Sequence, residues 1–139
     1  MVQMKARTTA NPRRVIAAVR KGTVTSLGHA GAYLRGIAKR SIKVSPHPAP
    51  PGHQPHTRKG KMKKAIFYAV ERAQEDVVIG PVSSEVGKIG GTHEFGGVEP
   101  PKKKGGKARK YPPRPFMGPA LAIGKERLPS LWANSIKGG

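Results

Sequence analysis

Asn11 and Pro12 open the pattern that most constrains this sequence. An Asn at a helix N-cap accepts a backbone N–H, and a proline at the first helical position lacks the N–H that would otherwise stay unpaired. From there Ile16, Val19, Thr23, Leu27, Ala30, Leu34, Ile37 and Ser41 recur in steps of three and four. At about 100° per residue all of them fall inside a sector roughly 80° wide. Gly22 does not shift the phase, so the pattern predicts one long helix over 11–43. Gly22, Gly28, Gly31 and Gly36 each weaken it by about 1 kcal/mol relative to Ala. At about 1.5 Å per residue such a helix runs roughly 50 Å, more than a chain of 139 residues needs for its own core. Part of it is expected to pack on a neighbour.

The opposite face carries Arg14, Lys21, Arg35, Lys39 and Lys43, all within about 60° of the direction away from the apolar sector. Such a row could lie along phosphates or form the solvated side of an amphipathic helix. The whole chain favours a polyanion. It holds 27 Lys and Arg against 7 Asp and Glu, a net charge of +20, and the signs are segregated. Residues 1–70 contain fifteen cations and no acid, 71–100 two cations and six acids, and 101–139 ten cations and one acid. A purely solubilising surface mixes its signs, whereas two basic blocks around an acidic one suggest a polyanion-facing side and a differently charged second surface.

The rest of the composition narrows the class. With 18 Gly, 14 Pro and few aromatics, a modest core with long irregular arms is expected over one domain spanning 1–139. With no Cys, disulfides and thiolate chemistry are excluded. No apolar run is long enough to cross a bilayer, and "MVQMKARTT" lacks the apolar core of a signal peptide, so a soluble, non-exported protein is expected.

Pro46, Pro48, Pro50, Pro51 and Pro55 crowd the segment 44–64, which should be an extended arm, since proline forbids helix and sheet ladders. His47, His53 and His56 have no carboxylate or Cys beside them, which argues against a metal site. "AIFYAVE" (65–71) and "DVVIGP" (76–81) predict an antiparallel hairpin around "RAQE". "SSEVGKIGG" reads as a glycine-rich loop and "THEFGG" (92–97) as a brief element stopped by two glycines; His93 and Glu94 lack the second His of a zincin helix. Residues 98–115 read as a second arm, a mobile basic loop. Pro112, Pro113 and Pro115 then stiffen the approach that presents Phe116 and Met117 to a core. Pro119 suits the first turn of a last helix carrying Leu121, Leu128, Leu131, Trp132 and Ile136, with Pro129 kinking or restarting it. The expected fold is α+β: a long N-terminal helix on a small antiparallel sheet, a C-terminal helix, and Pro/Gly/Lys-rich loops. Glu71, Glu75, Asp76, Glu85, Glu94 and Glu99 show no ligand spacing, so a metal-dependent nuclease is disfavoured, and no catalytic, cofactor or metal residue is assigned.

Four of these pieces occur in a familiar order. "APPGHQPHTRKGKMKKAI" resembles the "PG-x-PPH-T-x-TG-x-L-x-x-SI" segment of the neck and tail-completion proteins of long-tailed bacteriophages, a family that includes the Mu-type virion-morphogenesis proteins. "VVIGP", "GGTHEFGG" and "YPPRPFMGPAL" are similar to the family's next landmarks, and together the resemblance spans roughly residues 30 to 136. Lys59 replaces the usual Thr, Met62 the usual Leu, and the lysine tract 102–110 is longer than the family pattern.

The resemblance implies a non-enzymatic virion protein, assembled in the host cytoplasm as a hexameric or dodecameric ring at the head–tail junction. Its expected partners are sister copies, neighbouring connector, terminator or tail proteins, and genomic DNA in the channel; no membrane and no cofactor is involved. It further implies that Phe95, Gly96 and Gly97 support the sheet and a neighbour contact and that Arg114, Pro115 and Phe116 lock the loop onto the last helix; Trp132, on the last helix, is expected in the core or the packing surface. Lys102, Lys103, Lys104, Lys107, Arg109 and Lys110, with Arg35, Lys39 and Lys43 on the long helix, are the expected DNA-facing residues. Attraction to phosphate without base readout suits a duplex of any sequence. The alternative is a general architectural or ribosome-associated nucleic-acid-binding protein.

Overall fold

The computed structural model describes residues 11–136 and has the mixed α+β architecture expected. Helix α1 spans Pro12–Ser41. The Asn11 side chain accepts the N–H groups of Arg13 and Arg14 at 3.1 and 3.4 Å, and Lys39 and Arg40 place positive charge at the negative end of the helix dipole. Ile42 then turns extended and is buried. Residues 1–10, including the stretch read against a signal peptide, lie outside the described residues.

The predicted hairpin forms as strands β3 (Ile66–Glu71) and β4 (Asp76–Pro81). They pair antiparallel from Ile66↔Pro81 to Glu71↔Asp76. Gly31 lets the hairpin settle on α1, because a Cβ there would come within 2.5 Å of the Tyr68 ring. At the far end Arg20 meets Glu75 at 3.3 Å. The hairpin thus runs antiparallel to α1, its open end near Arg35 and its turn near Arg20.

The core gathers on the C-terminal half of α1, where Leu34, Ile37, Ala38 and Ile42 join Met62, Ile66, Phe116 and Ala120. Phe116 is 0 % exposed, a burial that contributes roughly 1.5–3 kcal/mol. The apolar sector read from the sequence is therefore only half used. Ile16 and Val19, toward its N-terminal end, stay 56 % and 40 % exposed.

Three segments are more structured than their composition suggested. Residues 44–64 fold back on the body instead of extending. A short parallel pair joins β1 (Lys43–Val44) to β2 (His56–Thr57), Ala49 and Pro55 are buried, Gly52 donates its N–H to Pro113 at 2.9 Å, and a one-turn helix α2 covers Lys61–Lys64. Proline keeps 46–55 out of any ladder, but prevents neither pairing at the two ends of the segment nor packing on the body. The "SSEVGKIGG" stretch is not a loop: α3 (Ser83–Val86) and α4 (Ile89–Phe95) occupy it, with Gly90 buried directly against the Pro81 ring, where a Cβ has no room. Residues 98–115, expected as a loop, begin as a hairpin of β5 (Gly97–Glu99) and β6 (Arg109–Tyr111).

The last helix α5 covers Met117–Gly124 and lies on α1, with Gly124 against Leu34 and Ile37. It tightens into 3-10 turns over Lys125–Leu131 that contain Pro129, which is how the predicted interruption is realised. Beyond it the chain runs back along α1. Ser26 donates its hydroxyl to the Leu131 carbonyl at 3.0 Å, and Gly22 lies so close to Ser135 that a Cβ would sit 2.6 Å from the carbonyl oxygen.

Candidate nucleic-acid interface

Strands β5 and β6 share three rungs: Gly97↔Tyr111, Val98↔Lys110 and Glu99↔Arg109. Side chains alternate across a strand pair, so Glu99, Arg109 and Tyr111 share one face and Lys110 the other. Glu99 and Tyr111 are diagonal neighbours on that face, and the Tyr111 hydroxyl donates to Glu99 Oε2 at 2.8 Å. This hydrogen bond engages the single acid of the hairpin at its root.

The tip, residues 100–108, is exposed throughout and carries Lys102, Lys103, Lys104 and Lys107. Gly105 at φ 84° turns the chain, a backbone state that favours glycine, and Gly106 donates its N–H to the Lys103 carbonyl at 2.9 Å. A shallow cleft of about 350 Å³ opens among Pro101, Lys102, Lys103, Lys107 and Arg109. With no acid in the tip, its ammonium groups repel one another and attract polyanions. Six of the expected DNA-facing cations, Lys102, Lys103, Lys104, Lys107, Arg109 and Lys110, thus belong to one hairpin.

The α1 cations do not join it. Arg35 is half-buried, donates its Nε–H to the Ile66 carbonyl at 2.6 Å, and places its guanidinium over the Phe67 ring at 5.4 Å. Helix periodicity points it away from the apolar sector, but β3 packs on that flank and captures it. Lys39 is half-buried as well, and Lys43 is exposed in β1. The acidic block is dispersed too: Glu75 pairs with Arg20, Glu94 binds backbone, and Glu99 holds Tyr111.

The residues expected to support packing sit at the hairpin's base. Phe95 ends α4 at 84 % exposure and takes no part in the core. Gly96, at φ 73°, turns the chain into β5 so tightly that a Cβ would lie 3.0 Å from the Tyr111 carbonyl oxygen, and Gly97 starts the ladder. Arg114 donates its Nε–H to the Ala49 carbonyl and its backbone N–H to the His93 carbonyl, both at 2.6 Å. It therefore ties residues 44–57 to α4, and does not bridge to the last helix. Pro115 and Trp132 are half-buried. Burial, and then the Arg114 charge, hold the His93 pKa below its usual 6.5.

The residue that sequence reasoning missed is Glu94. Its carboxylate accepts the N–H groups of Phe116 and Met117 on Oε2 at 2.9 and 3.0 Å, and that of Gly118 on Oε1 at 2.8 Å. Pro119 has no N–H, so the first-turn donors of α5 are all accounted for. A glutamate before a glycine stop gave no local hint of this, because its partners lie more than 20 residues away.

His47 and His56 approach each other differently from metal ligands: His56 Nδ1 lies 2.9 Å from the His47 carbonyl oxygen, to which it donates. Among the described residues, no three His, Asp or Glu side chains come together as a cation site. No protein-family model, curated protein or solved structure matches this chain.

Proposed function

We propose that this protein is a non-catalytic structural component of a phage neck or tail, forming a ring through which a DNA duplex passes. One observation carries the reading: a rooted hairpin whose exposed tip and flanks bear six cations and whose only acid is turned inward onto Tyr111. Such a finger attracts phosphates without reading bases, because Lys and Arg at its surface meet a backbone that is the same for every sequence. Base stacking would impede sliding, and the tip has no aromatic residue.

The order of the "PHT…KMKKAI", "VVIGP", "THEFGG" and "RPFMGPAL" segments, as in neck and tail-completion proteins, supports the same reading. Copies would meet through the apolar side chains left outside the core near the hairpin base and on α5, namely Phe95, Val98, Leu121 and Ile123. Head-to-tail use of unlike surfaces closes a ring when the rotation permits.

Sedimentation and negative-stain imaging of the full chain, with and without duplex DNA, test this. Closed rings are the expected result. A monomer that binds duplex with steep salt dependence would instead favour the general nucleic-acid-binding alternative, since the hairpin alone serves both.

A further inference from the structure

A groove of about 1100 Å³ lies between the N-terminal half of α1 and the returning chain 131–136, remote from the β5–β6 hairpin. Ala18 lines it together with Val15 and Ile136, which are 55 % and 58 % exposed, and Gly22 marks where the returning chain closes on the helix. Arg14 and Lys21 stand on its rim. Helix α1 contains no Asp or Glu, so the rim has one sign only.

We infer that this groove docks an acidic, amphipathic helical segment of a different protein. Charge complementarity fixes the sign of the occupant, and the apolar walls require side chains to bury. The lining extends from residue 14 to residue 29 of α1, about 22 Å at 1.5 Å per residue, with the returning chain closing on the helix at Gly22 and Ser26 and the N-terminal part left open. A sister copy cannot supply the segment. Among the described residues the two helices of eight or more residues, α1 and α5, contain no acid, while Glu71 and Asp76 lie in the β3–β4 hairpin, Glu85 in the one-turn α3, Glu126 between Lys125 and Arg127, and Glu75, Glu94 and Glu99 are engaged internally. Residues 1–10 contain Lys5 and Arg7 and no acid, which repeats the charge of the rim. Phosphates have no use for apolar walls, and a bilayer meets convex apolar faces instead of filling a concave one. The inference does not depend on the ring or on the hairpin's role.

The test uses the full chain and a fluorescein-labelled helical peptide of about 15 residues, with leucines at i, i+3, i+4 and i+7 spacing and glutamates elsewhere. A peptide of identical composition with the leucines scrambled is the control. At physiological ionic strength, anisotropy should show the patterned peptide binding at least about tenfold more tightly than the control, a difference set by the apolar walls. Val15→Asp and Ile136→Asp alter exposed positions and should remove that advantage. Arg14→Gln with Lys21→Gln should weaken binding and flatten its salt dependence, and gives a second readout free of any effect of the apolar variants on folding. Replacing the hairpin lysines should leave peptide binding unchanged. Equal binding of the two peptides, or indifference to Val15→Asp and to the rim pair, would overturn the proposal. So would a Val15→Asp defect confined to duplex DNA or to phosphatidylserine-containing vesicles.

Discussion

Oε2 of Glu94, at the end of α4, accepts the backbone N–H of Phe116 at 2.9 Å, so one helix supplies the cap of another across 22 residues of sequence. Cutting that carboxylate back leaves partly buried donors unpaired. Glu94→Ala should reduce unfolding free energy by about 2–3 kcal/mol, and Glu94→Gln, which keeps an acceptor but loses the charge at the helix N-terminus, by about 1 kcal/mol. Urea unfolding of the three proteins measures both. A loss under about 0.5 kcal/mol for the Ala variant would mean that solvent caps α5 equally well.

Two glycines of α1 should respond oppositely to the same substitution. Nothing lies within 4 Å of a Cβ built on Gly28, so Gly28→Ala should stabilise by roughly 0.5–1 kcal/mol through helix propensity. On Gly31 a Cβ would meet the Tyr68 ring at 2.5 Å and Val77 at 2.9 Å. Gly31→Ala should destabilise by about 1–3 kcal/mol despite the same propensity gain. Thermal melts of the pair decide it; like-signed shifts would refute the close seating of the hairpin on α1.

The length of α1 was legible because its signals are local: the Asn11–Pro12 start and the three-and-four spacing predicted 11–43, and Pro12–Ser41 is observed. "IFYAVE" and "DVVIGP" were legible for the same reason. What stayed hidden depends on distant partners. Gly90 and Gly91 argue against a helix until the Pro81 ring is placed against Gly90. Residues 97–99 and 109–111 are separated by proline and lysine, which carry no strand signal, and only the pairing reveals them. Arg35 points outward on a helical projection and inward once the Ile66 carbonyl is in reach.

His93 makes stability depend on pH. Its pKa is lowered in the folded chain by burial and by Arg114, while in the unfolded chain it titrates near 6.5. The unfolded state therefore takes up the proton first as pH falls. Its contribution is complete above about pH 6.5 and is lost on acidification toward the folded-state pKa. Urea midpoints between pH 7.5 and 5 should fall less in His93→Gln than in the parent. Parallel curves would show that His93 is solvated like the unfolded residue.

Replacing Lys102, Lys103, Lys104 and Lys107 with Gln should leave the fold intact, since all four side chains are exposed. The slope of log affinity for duplex DNA against log salt should become shallower by about 0.9 for each phosphate that the variant no longer neutralises. Titrations at several salt concentrations give the slope directly. An unchanged value would remove the β5–β6 hairpin from the DNA-facing role and the proposed function with it.

The borrowed cap of α5 couples two helices that lie far apart in sequence. The final helix closes its first turn with its own Ala120 N–H to Phe116 carbonyl bond, yet the three donors ahead of it find their side-chain acceptor on α4, so ordering of one helix favours ordering of the other. Amide hydrogens of residues 117–124 should accordingly exchange in step with the opening of 89–95, the two helices behaving as one cooperative unit despite the hairpin inserted between them.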